Sequence, residues 1–258
     1  MGLKERWKKA ESILKPSLSL AKAQFKLRNE GSYLGILWYL LNPILMFILL
    51  FFIFSPRIGQ GIVNYPVYLI VGILMFNFFQ QTTSEATRVI RNYIGIIKST
   101  NFSRESLVLA SIISLLLSHA FEILILIGFL VFTGTQLIGL LFYPIIFLFF
   151  LLFIYGFSLM LASVSVHFAD LENIWAFASR LIFFVTPIFY AVEGQRRLFI
   201  INLFNPVFYF ITLARDAVIY MKMPEYWIIL GAVSYSLLFL IVGIFIFNRL
   251  KNKLAEYI

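Results

Sequence analysis

Lysine, serine and threonine close the stretch IGIIKST, Ile94–Thr100, and these are the residue types that end a nucleotide-binding loop. A phosphate cradle needs glycine directly before its lysine, because the backbone there must reach the phosphates with no Cβ in the way. Ile97 holds that place and Asn92 stands where the opening glycine belongs, so the loop cannot form and Lys98 has another role. His119 and Glu122 lie three apart inside an apolar run, a spacing that turns both to one side of a helix. They read as the proton relay of an ion-coupled transporter or as a hydrogen-bonded pair packing on a neighbouring helix. No other carboxylate lies in the apolar runs, which favours the second reading. His167, Asp170 and Glu172 fall in a short polar turn, where such residues are expected without acid–base chemistry. Two ligands do not make a metal site, and the chain has no cysteine, so no catalytic or metal centre is expected.

The elements around these residues are apolar. The 258 residues are 61% hydrophobic and 13% charged, with 30 Phe and 13 Tyr, the balance of an all-α polytopic membrane protein. The net charge of +9 suits basic anchoring at a membrane face better than nucleic acid. A bilayer core of about 30 Å needs roughly 20 apolar residues in a helix. Six runs qualify: 34–55, 66–83, 107–132, 137–166, 174–190 and 226–247. The first is too long for a signal-peptide core and is expected to be retained.

A seventh apolar stretch, Leu198–Ala214, has Asn205–Pro206 near its middle. With six spans both termini share one side, which then collects sixteen of the 21 Lys and Arg, leaving Arg57, Arg196, Arg197, Arg215 and Lys222 opposite. A seventh span would move Arg249, Lys251 and Lys253 outside, against the positive-inside rule. The expectation is therefore six spans, both termini cytoplasmic, a cytoplasmic loop at 84–106 and an external re-entrant hairpin at 196–216. A break at membrane depth is tolerated only beside protein or a water-filled cavity, so the hairpin should border a pathway.

Residues 1–33 form a separate unit. Trp7, Ala10, Leu14, Leu18, Ala21 and Phe25 recur at three- and four-residue intervals between lysines, the pattern of an amphipathic helix along the membrane surface, interrupted at Pro16. Gly31 and Gly35 make a small-residue pair at the mouth of the first span. Aromatics including Trp38, Tyr39, Phe184, Phe189 and Tyr190 crowd the span ends. Interfacial belts account for most of them, although aromatic faces also suit sugar rings.

The order of these features resembles a family. A basic amphipathic helix leads into LRNEGSYLGILWYLLNPIL (Leu27–Leu45), and TRVIRNYIGIIKSTNFSRESLVLAS joins the second and third runs. HFADLENIW (His167–Trp175), TPIFY (Thr186–Tyr190) and FNPVFYFITLARDAV (Phe204–Val218) follow. Over nearly its whole length the chain resembles the membrane subunit of ABC-2 type polysaccharide exporters, the O-antigen and teichoic acid permeases. The resemblance implies a protein of the bacterial inner membrane that is not itself an enzyme. It also implies a second copy of the chain and two cytoplasmic ATPase subunits, which would bind the ATP and Mg.

What the resemblance implies for residues is equally specific. Arg88–Arg104 would hold a coupling helix docked on the ATPase, with Tyr93 and Ile94 as its apolar contact and Arg88, Arg91 and Lys98 as charged rim. His167 and Asp170 would belong to a second, smaller contact. An undecaprenyl-pyrophosphate-linked glycan would pass between two copies, along the first and fifth spans and over Trp38, Tyr39, Phe184, Phe189 and Tyr190. The hairpin with Asn205 and Pro206 would act as external gate, its flanking Arg196, Arg197 and Arg215 either attracting the pyrophosphate or anchoring at the interface. The rival classes are an ion-coupled carrier built on His119 and Glu122, and an ABC-2 exporter of a drug or small lipid.

Overall fold

The computed structural model describes residues 3–30, 33–35, 37–99, 102–168 and 170–250, with the backbone alone for 3–10, 96, 98 and 99. Gly31 of the small pair, the side chains of Trp7 and Lys98, and Lys251 and Lys253 lie outside the described residues. The described residues are helical and contain no strand. The helices are α1 (Leu3–Asn29), α2 (Leu37–Phe54), α3 (Tyr65–Ala86), the short α4 (Val89–Asn92) and α5 (Ile94–Ser99), and α6 (Arg104–Phe132). There follow α7 (Tyr143–Ser165), α8 (Leu171–Val185), α9 (Arg196–Leu203), α10 (Pro206–Arg215) with a π turn at Asp216–Tyr220, and α11 (Tyr226–Leu250).

Four segments are long and apolar enough to cross a membrane: Leu37–Phe54, Arg104–Phe132, Leu137–Ser165 and Tyr226–Leu250. The pair Arg196–Leu203 and Pro206–Tyr220, bent by 108°, makes a fifth if it counts as one span. Two of the six expected spans differ from expectation for local reasons. Gln80, Gln81 and Glu85 lower the hydropathy of α3 at one end, although its 22 residues reach about 33 Å. The run expected at 174–190 becomes the 15-residue α8, because Thr186 precedes Pro187 and a residue before proline is pushed out of the helical region. Thr186 has φ −70° and ψ 134°, and the chain continues non-helically to Tyr190.

α3 is the centre of the bundle. It is apolar on every side, and 16 of its 22 residues are buried against α2, α6, α7, α8 and α10. α7 and α11 run parallel in contact, Phe149 facing Ser236 and Gly156 facing Gly243. A Cβ on Gly243 would sit 2.1 Å from the carbonyl oxygen of Gly156, so the two backbones approach as only glycine permits.

α1 departs from expectation at Pro16. It continues through Pro16 as one helix of 27 residues. It packs lengthwise on α6. Ser17 Oγ lies 3.1 Å from Ser106 O, Ser106 Oγ donates to Ile13 O at 3.2 Å, and Phe25 stacks on Phe121 with ring centroids 6.3 Å apart. An interior proline costs about 3 kcal/mol, and this clamp around the Ile13–Ser17 turn helps offset it.

Candidate functional site

The non-helical segment that follows α8 leaves carbonyls without helical partners, and in a membrane each must be satisfied by protein. Side chains from three distant parts of the chain do this. Val185 O accepts from Asn202 Nδ2 at 3.0 Å and also from the Tyr190 hydroxyl. Phe189 O accepts from Tyr65 OH at 3.0 Å, and Tyr190 O from Tyr68 OH at 2.7 Å. Pro187 O and Ile188 O accept from Arg215, Nη1 at 2.6 Å and Nη2 at 2.8 Å. The same guanidinium reaches Tyr68 O through Nε (3.1 Å) and Nη2 (3.0 Å), and lies 3.3 Å over the Tyr68 ring. Four of its five N–H groups are thereby taken, three carbonyls share them, and the side chain is only 3% exposed. Gly72 makes room, since a Cβ there would stand 2.6 Å from Arg215 Nη2. Arg215, expected at the rim of the hairpin, is therefore a buried bolt between α3 and the segment after α8.

The hairpin bend is built in the same manner. Asn205 caps α10 by accepting from Val207 N at 3.1 Å, and Pro206 supplies a first residue that needs no N–H partner. Asn205 Nδ2 donates to Thr186 Oγ1 at 2.8 Å, and Tyr209 and Tyr235 both donate to Leu203 O. Arg196 and Arg197 are exposed. Beside the bend opens a cavity of about 750 Å³, walled by residues 61–63, Pro187, residues 191–196, the α10 flank and the start of α11.

The five aromatics expected to line a path part company. Trp38 (43% exposed) and Phe184 (61%) present their rings outside the chain, whereas Phe189 and Tyr190 (8% and 7%) are core residues. Phe189 stacks on Phe54 at 4.3 Å, and the half-buried Tyr39 lies 6.2 Å from Phe25.

At the opposite end of α3, the two stretches assigned to partner docking touch one another. Arg88 grips Glu85 Oε2 with Nε (2.9 Å) and Nη2 (2.6 Å). Glu172 on α8 accepts from Arg91 Nη2 at 3.2 Å and lies 4.0 Å from Arg88. Tyr93 packs against a small core of Val89, Ile90, Leu107 and Phe247; Ile94 is half-buried and Asp170 exposed. His167 Nδ1–H points at Ser163 O, 3.2 Å away. Lys98 lies on α5.

His119 and Glu122 are buried inside the bundle. His119 Nδ1 is 2.7 Å from Glu122 Oε2, and Nε2 is 3.0 Å from the hydroxyl of Tyr143 on α7. The imidazole stacks on Phe147 at 4.6 Å. This is a hydrogen-bonded pair that joins two helices. Among the described residues no group of three His, Asp or Glu is placed to hold a metal ion.

Sequence reasoning missed Tyr65, Tyr68, Gly72, Asn202 and Thr186. Tyr65 and Tyr68 carried a weak signal, two hydroxyls one turn apart at the start of an apolar helix, where each needs a partner.

The bundle has four helical segments long and apolar enough to cross a membrane, and sequence comparison gives its class. The ABC-2 type transporter family matches residues 17–219, and the chain belongs to that family. Two O-antigen export system permease proteins RfbA from Klebsiella pneumoniae are 31% and 30% identical to it over 245 residues, 92% of each chain. The RfbA of Myxococcus xanthus is 24% identical over 246 residues, 93% of this chain and 94% of its own. The protein is thus a multi-pass inner-membrane subunit of a transporter, and its family implies an ABC ATPase partner.

Proposed function

We propose that this chain, paired with a second copy and with two ABC ATPase subunits, exports a lipid-linked polysaccharide of the O-antigen or teichoic acid type across the inner membrane. The observation that carries the reading is similarity along more than nine-tenths of the chain to permeases named for O-antigen export. In this reading the chain crosses six times with both termini cytoplasmic, and α3 and the α8 segment serve as the second and fifth spans. α8 carries an outward stripe, Ile174, Phe177, Leu181 and Phe184, and α2 another, Leu45, Ile48, Leu49 and Phe52. These stripes are where a partner copy would pack in place of lipid, and the pathway runs between them. Of the five aromatics expected along the path, Trp38 and Phe184 are exposed and available to the glycan.

ATP binding draws the ATPases together, and the segments at 88–99 and 167–172 carry that motion into the bundle. The hairpin gates the external mouth, where Arg196 and Arg197 attract the departing pyrophosphate. Coupling of this kind requires nucleotide to favour one of the two states. The test is extraction of the complex from its own membrane in mild detergent, with mass and composition measured. An ATPase in a two-plus-two assembly supports the proposal. A chain that emerges without any nucleotide-binding subunit overturns it and redirects attention to His119 and Glu122.

A further inference from the structure

The cavity beside the hairpin has a chemical character that neither anchoring nor gating requires. Three cations line it, Arg196, Arg215 and Lys222, against three carboxylates, Glu193, Asp216 and Glu225. The formal charges cancel, so the lining has no net charge to draw an anion in. Two of the cations are also committed: Lys222 Nζ pairs with Asp216 at 3.3 Å, and Arg215 has at most one N–H left over from its carbonyls. Glu193 and Glu225 are exposed, and Glu225 already accepts from Trp227 Nε1. Apolar surface completes the wall: the half-buried rings of Phe199, Trp227 and Tyr220 face it, backed by the buried Phe208 and Tyr68. Phe208 and Trp227 lie nearly parallel, 25° apart, and Phe199 meets Trp227 edge-on.

We propose that this cavity binds an uncharged stretch of polysaccharide, with room for on the order of two or three pyranose rings. Three features point to that class. A neutral sugar needs acceptors and donors in balance, and exposed carboxylates take pairs of hydroxyl hydrogens well. Its axial C–H groups carry slight positive charge and settle on the negative faces of aromatic rings. A hydrophobic drug or lipid would desolvate the exposed Arg196, Glu193 and Glu225 and offer none of them a hydrogen bond, which disfavours that class. A polyanion would find no net charge to draw it in. Every residue of the site comes from one chain. It would hold the emerging glycan on the outer side, where a retained segment cannot slide back while the ATPases reset.

The proposal rests on the exporter reading, and the experiment separates the two. Linear tetrasaccharides of glucose, mannose, galactose and rhamnose are titrated calorimetrically into the purified permease–ATPase complex, with tetragalacturonate as the acidic counterpart. Saturable binding of at least one neutral probe is expected, with tetragalacturonate at least tenfold weaker. Glu193→Gln and Glu225→Gln should each weaken the neutral probe roughly tenfold, the loss of one charge-assisted hydrogen bond. Val63→Trp, at an exposed rim position whose change leaves the core untouched, should block entry. No heat from any neutral probe, equal or tighter binding of the acidic probe, or affinity unmoved by all three variants would each overturn the proposal. A complex that exports glycan yet shows any of these results loses the cavity and keeps the exporter. A preparation with no ATPase sinks the exporter reading whatever the calorimeter records.

Discussion

Replacing Arg215 with methionine tests the bolt directly. The variant keeps most of the side-chain volume and removes every donor. Tyr68 O retains the bond of its own helix, but Ile188 O loses its Arg215 bond, and Pro187 O keeps only a 3.5 Å contact with the Tyr68 hydroxyl, whose hydrogen is given to Tyr190 O. Each buried acceptor left unpaired costs about 1–3 kcal/mol, so the pair costs about 2–6 kcal/mol. Removing a desolvated charge returns part of this, which leaves a net loss of about 2–5 kcal/mol, confined to the opening of residues 186–190 and the hairpin. The chain has no cysteine, so a single Ile188→Cys change gives a clean reporter for a membrane-impermeant maleimide. At 1.4 kcal/mol per factor of ten, labelling should quicken by about thirtyfold to several thousandfold when Arg215→Met is added. Arg215→Lys, with three donors and no planar fork, should fall between. Unchanged labelling with export abolished would refute the reasoning and place Arg215 on the substrate instead.

Gly72→Ala should have a smaller effect of the same kind, about 1–3 kcal/mol, because its Cβ must displace Arg215 Nη2 from 2.6 Å. Gly128→Ala, which meets nothing within 4 Å, should leave labelling unchanged in the same assay. His119→Gln should lower the thermal midpoint, by the loss of buried hydrogen bonds worth about 1–3 kcal/mol, while ATP-driven export persists; export lost from a folded variant would favour the ion-coupled class. Glu172→Arg should barely change stability, since partly exposed ion pairs contribute up to about 1 kcal/mol, but should lower glycan exported per ATP hydrolysed. Adding Arg91→Glu should restore part of that coupling, and a single variant with normal coupling would remove the Glu172 clasp from the mechanism.

The long apolar helices were legible because burial in lipid demands continuous hydropathy. α2, α6 and α11 begin within three residues of the expected runs, with Ser103 capping α6. Composition was less informative where geometry decides. Pro16 reads as a break until α6 is seen to clamp its turn, and a run through Pro187 reads as one span although its helix stops at Val185. Arg215 was the hardest residue to place. An arginine at the end of an apolar stretch has the same sequence signature whether it anchors at an interface or sits buried, and its acceptor Tyr68 lies 147 residues away. Glu85 and Glu172 likewise acquire meaning only when the fold brings Arg88 and Arg91 between them. The cavity drew on six segments too far apart for any local pattern.

The Arg215 bolt also has a consequence for biosynthesis. Chains are made from the N-terminus, so Pro187 and Ile188 leave the ribosome before their donor, which follows 28 and 27 residues later. At about 5–20 residues per second, that is an interval of about one to six seconds in which these carbonyls have no guanidinium to meet. During that interval the segment can rest only where water still reaches it, at the translocon rather than in lipid. Final seating of the segment after α8 is therefore timed by the synthesis of the hairpin, and a nascent chain arrested before residue 215 would offer quality-control proteases an unfinished segment.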